Sequence, residues 1–199
     1  TDCRICGSDN LADVLDLGVQ PPANHLRRPN GPAPAPVPLQ LLQCGSCRTA
    51  QINATVRPED LFGSYLWVTG TSAIARSYSE VFADRVDRVL HGLDRPVSTK
   101  QAFVVEVASN DGTFLRRFLE RDWRVLGVEP ARNIAEVAAD SGVPTVPDFF
   151  GLEVAENLSQ EHGCADVVVA RNVIPHVANV HSVVEGLAIV AGDSGVVVI

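Results

Sequence analysis

Short apolar runs alternate with helically spaced stretches over the second half of this chain. Ala102–Ala108, Arg124–Val128, Pro144–Val146, Ala165–Ala170 and Val196–Ile199 are strand-like, rich in β-branched residues and only a few positions long. Between them, Thr113–Arg121, Asn133–Ser141 and Val180–Val190 carry apolar residues at helical spacing, with Phe114, Leu115, Phe118 and Leu119 expected inward. Continuous apolar strands separated by helices predict an α/β domain with a parallel sheet covered on both faces.

Upstream the rhythm differs. From Ser72 to Leu93 the apolar positions Ile74, Tyr78, Val81, Phe82, Val86, Val89 and Leu93 recur at helical spacing, predicting one long amphipathic helix ended by Gly92 and Pro96. Before it lies the Pro-rich stretch Pro29–Pro38, expected as an extended surface loop, and then a short strand Leu39–Gln43. Three parts result: residues 1–55 as a small first module, 56–98 as a linking helical segment, and 99–199 as the α/β domain. The chain ends inside the apolar run Gly195–Ile199 and contains no Met, so the sheet is expected to continue in a longer protein.

Composition narrows the class. The 46% hydrophobic content supports a real core, and the formal charge of −8 argues against a nucleic-acid partner. Arg27-Arg28 and Arg116-Arg117 are short pairs expected on solvated faces. No run of about 20 apolar residues predicts a membrane span, and no secretory signal pattern opens the chain, so a cytoplasmic location is expected.

Four of the five cysteines form two knuckles, Cys3-x-x-Cys6 and Cys44-x-x-Cys47. Each knuckle lets two thiolates reach one metal from a tight turn, with Gly7 and Gly45 expected to relax the backbone. Together they predict a closed tetrathiolate Zn2+ site, structural rather than catalytic, in preference to redox pairs. The 37 residues between the knuckles exceed the usual zinc-ribbon spacing and must fold on their own or wrap the next domain. Cys164 is expected to be a small buried residue.

Ligands in parallel α/β sheets bind beyond the carboxyl ends of the strands. There the sequence places the turn Glu106-Val107-Ala108-Ser109-Asn110-Asp111-Gly112, the acid Glu129 followed by Pro130, and Asp148-Phe149-Phe150. Gly112 can take a positive φ, Glu129 can accept hydrogen bonds from ribose hydroxyls, and the third segment offers an acid and rings for adenine. A pyrophosphate-binding turn needs bare glycines, whereas this one carries Glu106 and Asp111, which would repel a pyrophosphate but suit the ammonium of a methionine moiety. The reading favours S-adenosylmethionine over a nicotinamide dinucleotide. Asp111 could equally cap the following helix. His176, near the strand ends with Asn172 four residues earlier, is a candidate general base or enolate donor, and equally a surface histidine at a helix start.

In order along nearly the whole chain run Cys3-x-x-Cys6-Gly7, Leu17-Gly18-x-Gln20-Pro21-x-Ala23-Asn24, Cys44-x-x-Cys47, Tyr65-x-Trp67 with Thr71-Ser72, the Glu106–Gly112 turn, Gly127-Val128-Glu129-Pro130, Asp148-Phe149-Phe150 and Ala170-Arg171-Asn172-x-x-x-His176. This set resembles the zinc-module sugar C-methyltransferases that act on nucleotide-linked deoxysugars. The resemblance implies a Rossmann-like class I methyltransferase sheet behind a zinc-binding module and a long linking helix. It also implies S-adenosylmethionine as donor, and methyl transfer to a sugar carbon beside a ketone by deprotonation and carbanion attack. Cofactor contacts would fall on Glu106, Ala108, Ser109, Asn110, Asp111, Gly112, Glu129, Pro130, Asp148, Phe149, Phe150 and Asn172. Tyr65, Trp67, Asn172 and His176 would face the sugar. Ala108 and Asn110 stand where the commonest methyltransferase turn has glycines, and Trp67 where tyrosine is frequent. The family's Tyr/Glu/His-rich catalytic segment follows the fifth strand and would lie beyond Ile199. Other readings are a methyltransferase for a small-molecule oxygen or nitrogen, and a non-catalytic zinc-dependent binding module on the same scaffold.

Overall fold

The computed structural model describes residues 2–23, 26–93 and 101–199. It divides into two compact units, Thr1–Gly63 with Val177–His181, and Ser64–His176 with Ser182–Ile199.

The first unit is an antiparallel sheet of β1 (Leu11–Gln20), β2 (Val37–Cys44) and β3 (Ala50–Ile52), with β2 central, followed by the short helix α1 (Pro58–Phe62). The long β1 was not legible as a strand, because two register shifts break its alternation, after Asp13 and after Asp16. Gly18 makes the second one possible: its φ is +66°, and its N–H donates to Asp16 Oδ1. Pro38 lies in β2 and not in a loop. It pairs with Val19 on one side, while β3 meets β2 only at Leu41, Leu42 and Gln43, so the N–H that proline lacks faces no partner strand.

The second unit is a five-stranded parallel sheet in the order β6-β5-β4-β7-β8, from β4 (Phe103–Val107), β5 (Arg124–Val128), β6 (Thr145–Val146), β7 (Val167–Val169) and β8 (Val196–Val198). Every residue of β4 and β7 is buried, whichever way it points, so both faces of the sheet centre are covered. The helices are α2 (Ala73–Gly92), α3 (Leu115–Leu119), α4 (Arg132–Asp140), α5 (Leu152–His162) and α6 (Val180–Ala191). The helix α5 was not anticipated. Its apolar positions are few, and only Ala155 and Leu158 are buried.

α2 begins as expected at Ser72, whose Oγ accepts the Ala75 N–H as an N-cap. Its inward face is narrower than the spacing suggested: Ser79, Phe82, Ala83 and Val86 are buried, while Ile74, Tyr78, Val81 and Val89 are exposed. Small residues at 79 and 83 let the helix approach closely, and Phe82 packs edge-on against Phe114 at 5.6 Å. The core continues through Leu115, Phe118, Trp123 and Val104, with Phe118 and Trp123 in contact at 5.1 Å. Pro96 lies outside the described residues. α3 is shorter than the expected 113–121, because Phe118 O accepts both Arg121 N–H and Trp123 N–H as the chain turns into β5.

Two smaller expectations are corrected. Cys164 is exposed, in the loop that leaves α5 through Gly163 at φ +77°. The Arg116-Arg117 pair is no solvated face: Arg117 donates to buried Ser79 and to Glu120, and Arg116 Nε is buried. Among the described residues, no helix is long and apolar enough to cross a membrane.

Candidate functional site

The first unit brings its four cysteines together. All four Sγ atoms lie within 4.8 Å of one another, with Cys3–Cys47 at 3.5 Å and Cys6–Cys44 at 3.6 Å. A disulfide needs about 2.05 Å. A tetrahedron of thiolates about 2.3 Å from Zn2+ has edges of roughly 3.8 Å, which these separations approach. The two knuckles share one backbone pattern. Cys3 N–H donates to Ser8 O and Gly7 N–H to Cys3 O, just as Cys44 N–H donates to Thr49 O and Arg48 N–H to Cys44 O. The left-handed residue is therefore the one after each second cysteine, Gly7 (φ +71°) and Arg48 (φ +67°). Gly45 serves another purpose than expected, since a Cβ there would come within 2.5 Å of the Asn10 side chain.

The thiols divide unequally without a cation. Hydrogen bonds from Thr49 bring Cys47 down to about 6, whereas at Cys6 the pull of the Ser8 N–H is overcome, chiefly by Cys47, and its pKa is pushed up to about 12. Four neighbouring thiolates need a metal to coexist. Arg4 secures the first knuckle to the end of β3, donating to Ile52 O, Ala54 O and Thr55 Oγ1.

In the second unit the chain order reverses at β4: β5 and β6 extend to one side, β7 and β8 to the other. In parallel α/β sheets ligands bind outside the carboxyl ends of the strands at such a switch point, here the edge beyond β4 and β7. The turn after β4 borders it with a left-handed residue at every second position, Ala108 (φ +52°), Asn110 (φ +51°) and Gly112 (φ +72°). Only the last is a glycine, and a Cβ on it would meet Val143 at 2.8 Å. Ser109 N–H donates to Val128 O, which ties the turn to the end of β5. Glu129 follows there, buried, with Oε2 accepting Asn110 N–H and Oε1 accepting Ala131 N–H, both at 2.9 Å. Beside it, Val146 O accepts the N–H groups of Glu129 and Asp148, placing Asp148, Phe149 and Phe150 next along the same edge. Asn172 (φ +55°) and the 3-10 turn Ile174–His176 leave the end of β7, with His176 N–H donating to Val173 O. The sequence-selected cofactor residues, with Asn172 and His176, thus share the carboxyl edge of one sheet.

Glu106 is the most buried of them, at 2% exposure. Arg171 Nε and Nη2 both donate to its Oε1, at 3.2 and 2.6 Å. Its Oε2 is buried with no hydrogen-bond partner. Burial pushes its pKa up, Arg171 pulls it back, and the nearby Asp111 and Glu129 charges push it further up. Burial also raises Glu129, against the two N–H groups it accepts. Asp111 does not cap α3, whose N-cap position is Phe114, without a side-chain cap: its Oδ1 accepts from Thr113 N–H and Oγ1 within the turn, and its Oδ2 accepts Gly70 N–H.

That last bond belongs to a feature not foreseen in the sequence. Residues 65–70 form a strap held to the site by side-chain amides and acids. Asn110 accepts Thr69 N–H and donates to Trp67 O, while Asn133 accepts Tyr65 N–H and donates to Tyr65 O. Tyr65 and Trp67 are thereby anchored through their backbones, and Trp67 remains 56% exposed. Gly70 is the one readable signal, since a Cβ there would lie 2.5 Å from Asp111 Oδ2. Arg171 was also missed as a site residue, because a lone arginine after a strand has no pattern of its own.

An orphaned, buried carboxylate oxygen fits the ammonium of a methionine moiety, and the acid Glu129 after β5 fits a ribose. Residues 105–199 match a family model described as "Methyltransferase domain", and residues 3–62 one described as "Putative zinc binding domain". Most of the second unit is thus similar to a methyltransferase domain. The chain is 34% identical over 197 residues to C-methyltransferase NovU of Streptomyces niveus, covering 98% of this chain and 45% of that relative. It therefore spans less than half the length of that protein. Among solved structures, the sugar N-methyltransferase KedS8 from Streptoalloteichus matches with a TM-score of 0.44 at 17% identity, over 61% of this chain and 47% of its own. The magnesium protoporphyrin IX methyltransferase from Synechocystis, solved with bound SAM, gives 0.41 at 13% identity, over 58% and 55%. The family match opens inside β4, one residue before Glu106.

Proposed function

We propose that this chain is the zinc module and cofactor-binding part of an S-adenosylmethionine-dependent C-methyltransferase acting on a nucleotide-linked keto-deoxysugar. The observation that carries the cofactor is the Glu106 carboxylate, buried at the switch point with one oxygen unpartnered. The C-methyl chemistry and the sugar acceptor rest on the likeness to NovU, a C-methyltransferase by name, and on the ordered family motifs that the sequence shares.

When bound, S-adenosylmethionine supplies an electrophilic sulfonium methyl. Glu106 holds the ammonium of its methionine moiety, and Glu129 accepts from the ribose hydroxyls through lone pairs its two N–H contacts leave open. Asp148 with Phe149 and Phe150 receives the adenine. The turn Ala108–Gly112, bent by its three left-handed residues, borders the cofactor. His176 takes the proton from the carbon beside the sugar ketone. The carbon so deprotonated would be the nucleophile to which the sulfonium methyl is supplied, with Glu106 and Glu129 holding its donor in place. Tyr65 and Trp67, on the strap, contact the sugar. The zinc site is structural, with all four ligands supplied by protein.

The test is product analysis with the protein carrying this chain, S-adenosylmethionine bearing a labelled methyl, and keto-deoxysugar nucleotides. Label on carbon is expected. Label on oxygen or nitrogen would replace the reading with a different acceptor, and no label with any of these sugars would overturn it.

A further inference from the structure

Arg171 lies two residues past β7, beside β4 in the sheet, where Glu106 pairs with Val169 in register. Its guanidinium makes both contacts to a single oxygen of Glu106, Oε1, instead of the two-oxygen fork that arginine and carboxylate usually form. The guanidinium also lies over aromatic rings. Its Cζ sits 3.2 Å from the centre of Phe114 and 5.1 Å from that of Phe82. Those rings are core residues, packed against each other. The arginine therefore cannot slide to share itself between both oxygens, and Oε2 stays buried and unpartnered.

A buried carboxylate surrounded by Asp111 and Glu129 is costly to ionise. Arg171 opposes that cost, and a neutral acid holds an ammonium poorly. The aromatic seat lets Arg171 stabilise the charge while leaving one oxygen open. We propose that Arg171 is a positioning residue for the cofactor: fixed by Phe82 and Phe114, it keeps Glu106 charged through Oε1 and reserves Oε2 for the ammonium of the methionine moiety. This inference rests on the S-adenosylmethionine reading above.

Two ligands separate the possibilities. S-adenosylhomocysteine carries the ammonium; 5′-methylthioadenosine keeps the adenosine and sulfur but lacks the amino-acid end. Both are titrated by calorimetry into the wild-type chain, Arg171→Lys and Arg171→Gln, and S-adenosylhomocysteine also into Glu106→Gln and the double variant. Arg171→Gln is expected to weaken S-adenosylhomocysteine at least tenfold and to leave methylthioadenosine within about twofold. Arg171→Lys, which keeps the charge, recovers part of the loss and supplies the comparison if the glutamine variant does not fold. In the Glu106→Gln background the Arg171 effect is expected to vanish, as it must if arginine acts through that carboxylate. Equal weakening of both ligands, or an undiminished Arg171 effect without Glu106, would overturn the inference while leaving the cofactor reading intact. A wild-type chain that binds neither ligand would overturn both.

Discussion

Arg48 takes in the second cysteine knuckle the left-handed backbone that Gly7 takes in the first, with φ of +67° against +71°. The hydrogen bonds around them match donor for donor, yet one position has a side chain that disfavours this conformation. No Cβ clash surrounds Gly7, so the difference between the two positions is backbone strain alone. Arg48→Gly is expected to raise the stability of the zinc-loaded protein by about 1 kcal/mol, and Gly7→Ala to lower it by about the same. Chemical denaturation of both variants checks this, and a destabilised Arg48→Gly would contradict it.

The zinc site itself sets a larger effect. Cys3 and Cys44 are buried beneath the turns, and the small sheet of the first unit has many exposed apolar residues in β1, so the metal replaces much of a missing core. One zinc per chain is expected by elemental analysis. Cys44→Ser or a strong chelator is expected to abolish amide-exchange protection across β2 and β3, while β4 and β7 keep theirs. Persistent protection of β2 without metal would show that the ion is dispensable.

Most of the parallel sheet was legible because each of its strands is a short, nearly unbroken apolar run. β5 matched its expected bounds, since Arg124 opens a run that Glu129 closes. The first unit was harder to read. Bulges in β1 destroy the alternation that marks a strand, and Pro38 masks the start of β2. The site was readable where chemistry is written in local motifs, at the cysteines, the Glu106–Gly112 turn and Glu129. It was not readable where distant segments meet, as when Asn110 and Asn133 bind the backbone of residues 65–69, or when Arg171 crosses to Glu106. The exposed Ile74, Val81 and Val89 show a further limit: helical spacing gives the period of a helix but not which of its apolar residues find a partner.

The strap depends on a close approach. Gly70→Ala would drive a Cβ to 2.5 Å from Asp111 Oδ2 and 2.8 Å from Thr113 Oγ1. The expected cost is about 1–3 kcal/mol, the range for overpacking, with the strap released before the sheet. Hydrogen exchange should quicken at Thr69 and Gly70, whose N–H groups lose Asn110 and Asp111, and stay slow in β4. Unchanged exchange at those two amides would contradict the arrangement.

Burial holds the pKa of Glu129 above the ordinary 4.5, opposed by the N–H groups of Ala131 and Asn110. A carboxyl whose folded pKa exceeds its unfolded one contributes stability that is fully present below the unfolded value and is lost as pH rises through the folded value. Glu129→Gln removes this titration. The stability difference, wild type minus variant, is therefore expected to shrink as pH increases from about 4.5 towards neutrality. Denaturation curves at several pH values in that window measure it, and a difference that grows with pH would reverse the sign of the argument.

The most direct test of the cofactor site is calorimetry of S-adenosylhomocysteine with the wild-type chain and Glu106→Gln. The glutamine keeps the size of the side chain but cannot carry the charge that the ammonium needs. One ligand per chain is predicted for the wild type, with affinity at least tenfold weaker in a Glu106→Gln variant that melts as a folded protein. Equal affinities in the two proteins, or no binding to the wild type, would contradict the site described here.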